Sequence, residues 1–275
     1  MRKTNKIFDI FNHTLFVIFS LIVIMPLAIT FFSSFKTPIQ IASESVLSFP
    51  SPFTLENYID VFKDGNVLTA VKNSTILVVA AVVINSLLAS MVAYSLSRFE
   101  FKLKRFFFFL LSVGMLLPGF IAEITRFGII AKLGVYDTLL APLLIYVGTD
   151  LMQIYIYKQF IDQIPFSIDE SAMMDGCSYF TIYWKIIFPM IVPATATLAI
   201  LKTVAVLNDM FTPYLYMPSP KNATLTTMLM NYVGRSGSWA KLSAAVVVVM
   251  IPGIVIYLIF RKKILAGMAA GAVKE

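Results

Sequence analysis

Residues 164–193 read IPFSIDESAMMDGCSYFTIYWKIIFPMIVP, a polar, helix-capable stretch set between two apolar runs long enough to cross a bilayer. Ser167, Ile168, Asp169 and Glu170 have the pattern of a capping box. In such a box the Ser167 hydroxyl accepts from the Glu170 amide, and the Glu170 side chain reaches back to the cap. A short helix is predicted to open there. Asp175-Gly176 predicts its end, since glycine enters the left-handed region without a Cβ penalty. A second element starts ahead of Pro189, so the segment reads as one short helix, one sharp turn and a return to the membrane.

The 275 residues are 59% hydrophobic and 13% charged. Soluble domains carry roughly one half and one quarter, so lipid is the expected solvent of this chain. A bilayer core takes about 20 apolar residues per helix, and such runs lie near 15–35, 74–96, 106–124, 138–160, 186–207 and 244–260. The expected fold is therefore an all-α integral membrane protein with six transmembrane helices. Arg2, Lys3 and Lys6 precede the first run, Arg98, Lys102, Lys104 and Arg105 separate the second from the third, and Arg261, Lys262 and Lys263 follow the last. Positive charge collects on the cytoplasmic side. Both termini are thus expected in the cytoplasm, and the same count of crossings places residues 164–185 there. The first run exceeds a signal-peptide core and lacks a small-x-small cleavage site, so a retained anchor is expected.

Composition also narrows the chemistry. Cys177 is the one cysteine, which excludes an intramolecular disulfide and a cysteine-rich zinc site. The one histidine, His13, stands at a membrane border and reads as an interfacial side chain rather than a metal ligand. No metal site and no catalytic residue is expected. The net charge of +7 follows largely from positive-inside placement, so nucleic acid is not an expected partner. No Gly-x-x-x-x-Gly-Lys-Ser/Thr run occurs, so this polypeptide is not expected to hydrolyse ATP.

Glu170-Ser171-Ala172, then Asp175-Gly176, then Ile187-Phe188-Pro189 together resemble the EAA loop of ABC importer permeases. Ala93-Tyr94-Ser95-Leu96-Ser97-Arg98-Phe99, Phe101-Lys102, Asn208-Asp209 before Pro213, and the C-terminal run from Gly267 to Lys274 extend the likeness over nearly the whole chain. It is similar to the carbohydrate-importer permeases of the maltose-transporter type, in particular to their smaller permease subunit. Ser171, Cys177, Phe188 and Leu207 depart from the usual residues. The resemblance implies a type I ABC importer permease fold. Residues 1–69 would form an anchor helix and external loop, 70–261 a permease core with its EAA loop at 162–185, and 262–275 a cytoplasmic tail touching the ATPases. It implies that Glu170, Ser171, Ala172, Met173, Met174, Asp175 and Gly176 form a coupling helix and turn docked in a nucleotide-binding subunit. ATP and Mg would bind that partner, with no cofactor on this chain.

Ionisable groups inside a span are costly, which makes Asp150 and Lys202 candidate functional residues. Tyr146, Asp150, Gln153 and Tyr157 share one face of the fourth predicted helix, with Thr149 beside them, and Thr195, Lys202 and Asp209 share one face of the fifth. Aromatic and hydrogen-bonding side chains in a stripe suit a sugar path. Equally, Asp150 and Lys202 neutralise one another or a partner permease, and the tyrosines pack between helices.

The expected function is import of a sugar or oligosaccharide through a bacterial plasma membrane by alternating access. The partners would be a second homologous permease, two ATPase subunits, an external binding protein and membrane lipid. A non-sugar solute is the alternative. An ion-coupled secondary transporter fits less well, because the polar insert has no role in it and no clear internal repeat is present.

Overall fold

The computed structural model describes residues 6–116, 119–148, 151–233 and 238–272, and these form helices and connecting turns without strands. Helix α1 (Lys6–Ser33) is followed by two short helices, α2 (Pro38–Ser43) and α3 (Glu56–Asp64). Within α1, Thr14, Ser20 and Thr30 each return their hydroxyl to the carbonyl four residues earlier, at 2.9, 2.7 and 2.9 Å. A hydroxyl facing lipid finds no water, so its own helix supplies the acceptor.

The chain divides into two units, Met1–Leu68 with Met228–Pro252, and Thr69–Thr227 with Gly253–Glu275. In the first, the stretch after α1 is a folded element rather than an open loop. Thr37 and Gln40 close a true capping box at the start of α2, with the Thr37 amide donating to Gln40 Oε1 at 2.8 Å. Asn57 Nδ2 on α3 donates to the carbonyls of Ser34 and Lys36 at 2.9 and 2.8 Å. Lys36 is buried, and its Nζ donates to Ser45 O and Ser48 Oγ at 3.1 and 2.8 Å.

The second unit is built on α4 (Val67–Arg98), whose Ala81, Ala89 and Ala93 are fully buried and let neighbouring helices approach closely. Helices α5 (Lys104–Leu116) and α6 (Gly119–Lys132) occupy the region of the third predicted span, with Leu117 and Pro118 outside the described residues. The fourth predicted span is two helices, α7 (Leu140–Val147) and α8 (Leu151–Asp162), inclined by 44°. After α9 (Phe166–Met174) come α10 (Tyr179–Ile182), a π-helical turn at Tyr183–Ile187 and α11 (Phe188–Met190). The chain then bends by 74° into α12 (Val192–Asn208). Proline accounts for this geometry, since neither Pro189 nor Pro193 can donate to the carbonyl four residues before it.

The chain continues through α13 (Phe211–Tyr216) and α14 (Leu225–Met228) to α15 (Trp239–Ala272), which runs without a break into the expected tail. Among the described residues α1, α4 and α15 are each long and apolar enough to cross a membrane, and the number is five if each bent pair is one span. The main core gathers Ala89 and Ala93 of α4, Ile154, Tyr157 and Ile161 of α8, and Ile182 to Ile191 of the segment after α9.

Asp137 ties two turns of this unit together. Its backbone is left-handed, with φ of 58°, and its carboxylate accepts from the Ser219 hydroxyl, from the Ser219 amide at 3.1 Å and from Asn222 Nδ2 at 3.2 Å. Chiefly the Ser219 hydroxyl bond holds the carboxyl below the usual carboxylate range. A lowered native value means that the stabilisation is complete above the unfolded value of about 3.9 and is lost only as pH falls through the lowered one. Limited proteolysis within residues 217–224 is therefore expected to proceed at the same rate at pH 7 and pH 5, and Asp137→Ala to accelerate it at both. Equal nicking of variant and wild type would refute the tie.

Candidate functional site

The polar insert folds as the short helix α9 and a tight reversal. Its start differs from the expected capping box: the helix begins at Phe166 with Pro165 as its cap, and no side chain caps it. Pro165 fixes its own φ near the extended side of the boundary, at −57° with ψ of 135°, so the chain turns into helix two residues earlier than Ser167 would set it. The end is as expected. Gly176 has φ of 79°, its amide donates to Met173 O at 2.9 Å, and the Cys177 amide donates to Ala172 O at 3.0 Å. Those two bonds are a Schellman closure, which satisfies carbonyls that the helix end leaves open.

Arg98, at the last turn of α4, anchors this helix. Its Nε donates to Asp169 Oδ1 at 3.2 Å, its Nη2 lies 3.1 Å from Asp169 Oδ2, and the same nitrogen donates to Ile164 O at 2.9 Å. The Phe166 ring lies 5.7 Å from the guanidinium carbon. Side-chain exposure is 6% for Arg98 and 0% for Asp169, so the pair is desolvated on both sides. In the sequence Arg98 belongs to a family-like run and Asp169 to a cap pattern, and neither pattern pairs them. An acidic residue in the first turn of a helix that also needs a buried face is the available signal.

Helical geometry sorts the expected coupling residues into two groups. Ser167, Glu170, Ser171 and Met174 are exposed and follow one another at i, i+3, i+4 and i+7, which is one face. Met174 is 88% exposed. Asp175 and Gly176 are exposed beyond it. Ala172 is buried in the main core and Met173 packs against it, so these two root the helix in its own chain.

The residues expected along a solute path also separate. Tyr146 of α7 donates its hydroxyl to Asp209 Oδ2 at 3.0 Å, and Asp209 Oδ1 accepts the Thr212 amide at 3.0 Å. Asp209 O takes the Thr226 hydroxyl at 2.8 Å, so Asp209 organises the start of α13. Gln153 and Tyr157 are buried on α8, and neither Gln153 Oε1 nor the Tyr157 hydroxyl closes a hydrogen bond among the described residues. The Ser86 and Thr195 hydroxyls lie near that of Tyr157. Thr195 returns its hydroxyl to Ile191 O at 3.1 Å within its own helical run, and Lys202 is half-buried on α12. Thr149 and Asp150 lie outside the described residues. Because α7 and α8 are inclined to each other, Tyr146 and the Gln153–Tyr157 pair are not one straight stripe. Asn85, unremarked in the sequence, is fully buried in α4 and donates Nδ2 to Gly148 O at 2.9 Å and Val147 O at 3.3 Å, meeting carbonyls freed where α7 stops.

Removing one partner of a buried ion pair leaves a charge uncompensated, at a cost of about 3–5 kcal/mol, whereas an apolar pair of similar volume is often neutral. Arg98→Met and Asp169→Leu are thus each expected to lower the thermal stability and yield of the purified chain in its complex, and the double variant to recover most of the loss. Additive losses would show that the two side chains do not act on each other.

Comparison with known proteins agrees with this architecture. The family described as binding-protein-dependent transport system inner membrane component matches residues 85–268. The multiple sugar-binding transport system permease protein MsmG of Streptococcus mutans is 33% identical, with all of both chains covered. The probable starch degradation products transport system permease protein AmyC of Thermoanaerobacterium thermosulfurigenes is 30% identical over 94% of each chain. Among solved structures, a chain of a bacterial ABC transporter involved in import of the acidic polysaccharide alginate superposes with a TM-score of 0.83 at 24% identity, covering 95% of this chain and 98% of that one. The matched region takes in α4 from Asn85, the Arg98–Asp169 pair, α9 and its glycine closure, and the chain belongs to the binding-protein-dependent transport system inner membrane component family.

Proposed function

We propose that this chain is a permease subunit of an ATP-driven bacterial importer, carrying a sugar or oligosaccharide handed over by an external binding protein. The carbohydrate assignment is supported by the names of the relatives at 30% and 33% identity. In this reading the chain crosses the plasma membrane six times with both termini in the cytoplasm. Residues 1–69 serve as anchor and external cap, 70–261 as the transport core and 262–275 as a tail toward the ATPases. A second homologous permease completes the path, and two separate subunits bind ATP and Mg.

The observation that carries the coupling role is the exposed face of α9 on a helix rooted at both ends. Ser167, Glu170, Ser171 and Met174 are available to a partner while Ala172, Met173 and Asp169 are committed to their own chain. A short helix that is packed underneath and closed by Gly176 moves as one piece with the end of α4 when pushed. Nucleotide-driven closure of an ATPase around α9 would thereby tilt a spanning helix, and the solute path would open to the other side. Along that path Tyr146 and Asp209 satisfy each other, which favours a positioning role for both. Gln153, whose Oε1 has no hydrogen-bond partner among the described residues, is the better candidate to meet solute hydroxyls or water, together with Tyr157, Lys202, Thr195, Thr149 and Asp150.

Met174→Asp places a charge at the centre of the docking face and is expected to weaken association with the ATPase by about 2 kcal/mol, roughly thirtyfold. Glu170→Lys and Gly176→Arg are expected to abolish transport while the chain still inserts. Gly176→Ala alone forces a Cβ into the left-handed region, for about 1–2 kcal/mol of local strain. Co-purification with the ATPase and ATP turnover stimulated by the binding protein are the readouts. Wild-type values of both in Gly176→Arg and Met174→Asp would overturn the coupling assignment.

A further inference from the structure

Where α4 gives way to α5, beside the end of α8, the second unit has an open cavity of about 840 Å³ that the coupling role leaves unused. That volume is within the range of small-molecule sites, roughly 300–1,000 Å³. Its polar side carries Lys102, Lys104, Arg105 and Lys158, against Glu100 as the acidic member of the lining. Lys104 is paired with Glu100 at 2.6 Å and Lys158 with Asp162 at 2.6 Å. Lys102 and Arg105 have no ion-pair partner among the described residues. Lys104 and Arg105 also occupy the first turn of α5, which contains no acidic residue and where the helix dipole already disfavours cations. An anion seated here would relieve both repulsions.

Beyond Arg105 the lining turns apolar along the same face of α5, at i+3, i+4 and i+7. Phe108, Phe109 and Ser112 line the cavity there, and Phe109 is 64% exposed, on a helix whose neighbouring Phe106 and Leu110 are likewise exposed. Ser112 gives its hydroxyl to Phe108 O at 2.8 Å and so presents no spare donor to the cavity. A basic rim joined to an apolar wall, on a helix that the topology proposed above sets in the membrane, matches one class of molecule, an amphiphile with an anionic head. We propose that this cavity binds the headgroup of an anionic phospholipid, with Lys102 and Arg105 on the phosphate and an acyl chain along Phe108, Phe109 and Ser112. Both the placing of α5 in the membrane and the assignment to the cytoplasmic leaflet rest on the topology proposed above.

The test uses the assembled complex, freed of lipid in non-ionic detergent and exposed to mixed micelles of equal phosphatidylglycerol and phosphatidylcholine, with bound lipid counted by native mass spectrometry. Phosphatidylglycerol is expected to be retained in preference. Lys102→Gln with Arg105→Gln is expected to weaken its retention about thirtyfold, from about a factor of five for each cation near a membrane surface. Lys102→Arg with Arg105→Lys should keep it, which separates lost charge from lost assembly. Ser112→Trp, which fills the apolar side without altering charge, should also release the lipid. Equal retention of the two lipids, or unchanged selectivity in the glutamine double variant, would overturn the site. Displacement by inorganic phosphate together with indifference to Ser112→Trp would reduce it to a simple anion site and overturn the lipid assignment. Transport is not a readout, so failure of the importer reading and failure of this one are distinguishable.

Discussion

The buried ion pair between Arg98 and Asp169 is the constraint around which the insert and the membrane core are arranged. Neither charge reaches solvent to any extent, so the desolvation of both must be offset by close geometry and by further hydrogen bonds. Arg98 meets this by donating to the carboxylate and to Ile164 O together, which binds the last turn of a long helix to the residues just before and within a nine-residue one. Ala172 and Met173 add apolar contact on the same side, and Gly176 closes the far end. The outcome is a short helix with little freedom to rock on its base and one face left bare.

A second constraint runs through the rest of the chain: backbone and hydroxyl groups in lipid find partners in protein or not at all. Where helices are continuous, as in α1, side-chain hydroxyls fold back onto their own carbonyls. Where the ladder stops after α7, Asn85 comes from α4 to meet the freed carbonyls. Asn57 does the same for the turn after α1, outside any span. The break after α7 is therefore a built feature with an assigned donor. A buried polar atom without a partner among the described residues, such as Gln153 Oε1, stands out against that background, since leaving one unmet costs about 1–3 kcal/mol.

Much of this is legible in the sequence for a physical reason. Apolar runs of spanning length and a left-handed glycine after a short polar helix each depend on local chemistry alone, and α1, α4, α15 and the Gly176 closure follow them. Features set by contacts distant in sequence are not legible. The pattern Ser167 to Glu170 suggests a capping box, yet α9 is capped by Pro165, which turns the chain into helix two residues earlier, and the capping box that forms is at Thr37 and Gln40. Likewise one helical stripe through Tyr146, Gln153 and Tyr157 presumes a straight helix, and Gly148 interrupts it. Ala172 and Met173 are indistinguishable in the sequence from their neighbours on α9, and their packing against the main core depends on side-chain direction.

Helix α9 presents Met174 outward and holds Met173 inward, and the proposed coupling role depends on that division. Cys177 is the only cysteine, so Cys177→Ser provides a background in which Met174→Cys and Met173→Cys can be compared by maleimide labelling. In membranes containing this chain without the ATPase, the Met174→Cys variant should label rapidly and the Met173→Cys variant slowly. Addition of the proposed ATPase partner should then protect the thiol introduced at position 174. Equal labelling of the two variants, or a thiol at position 174 that stays fully reactive in an assembled and active complex, would contradict the account.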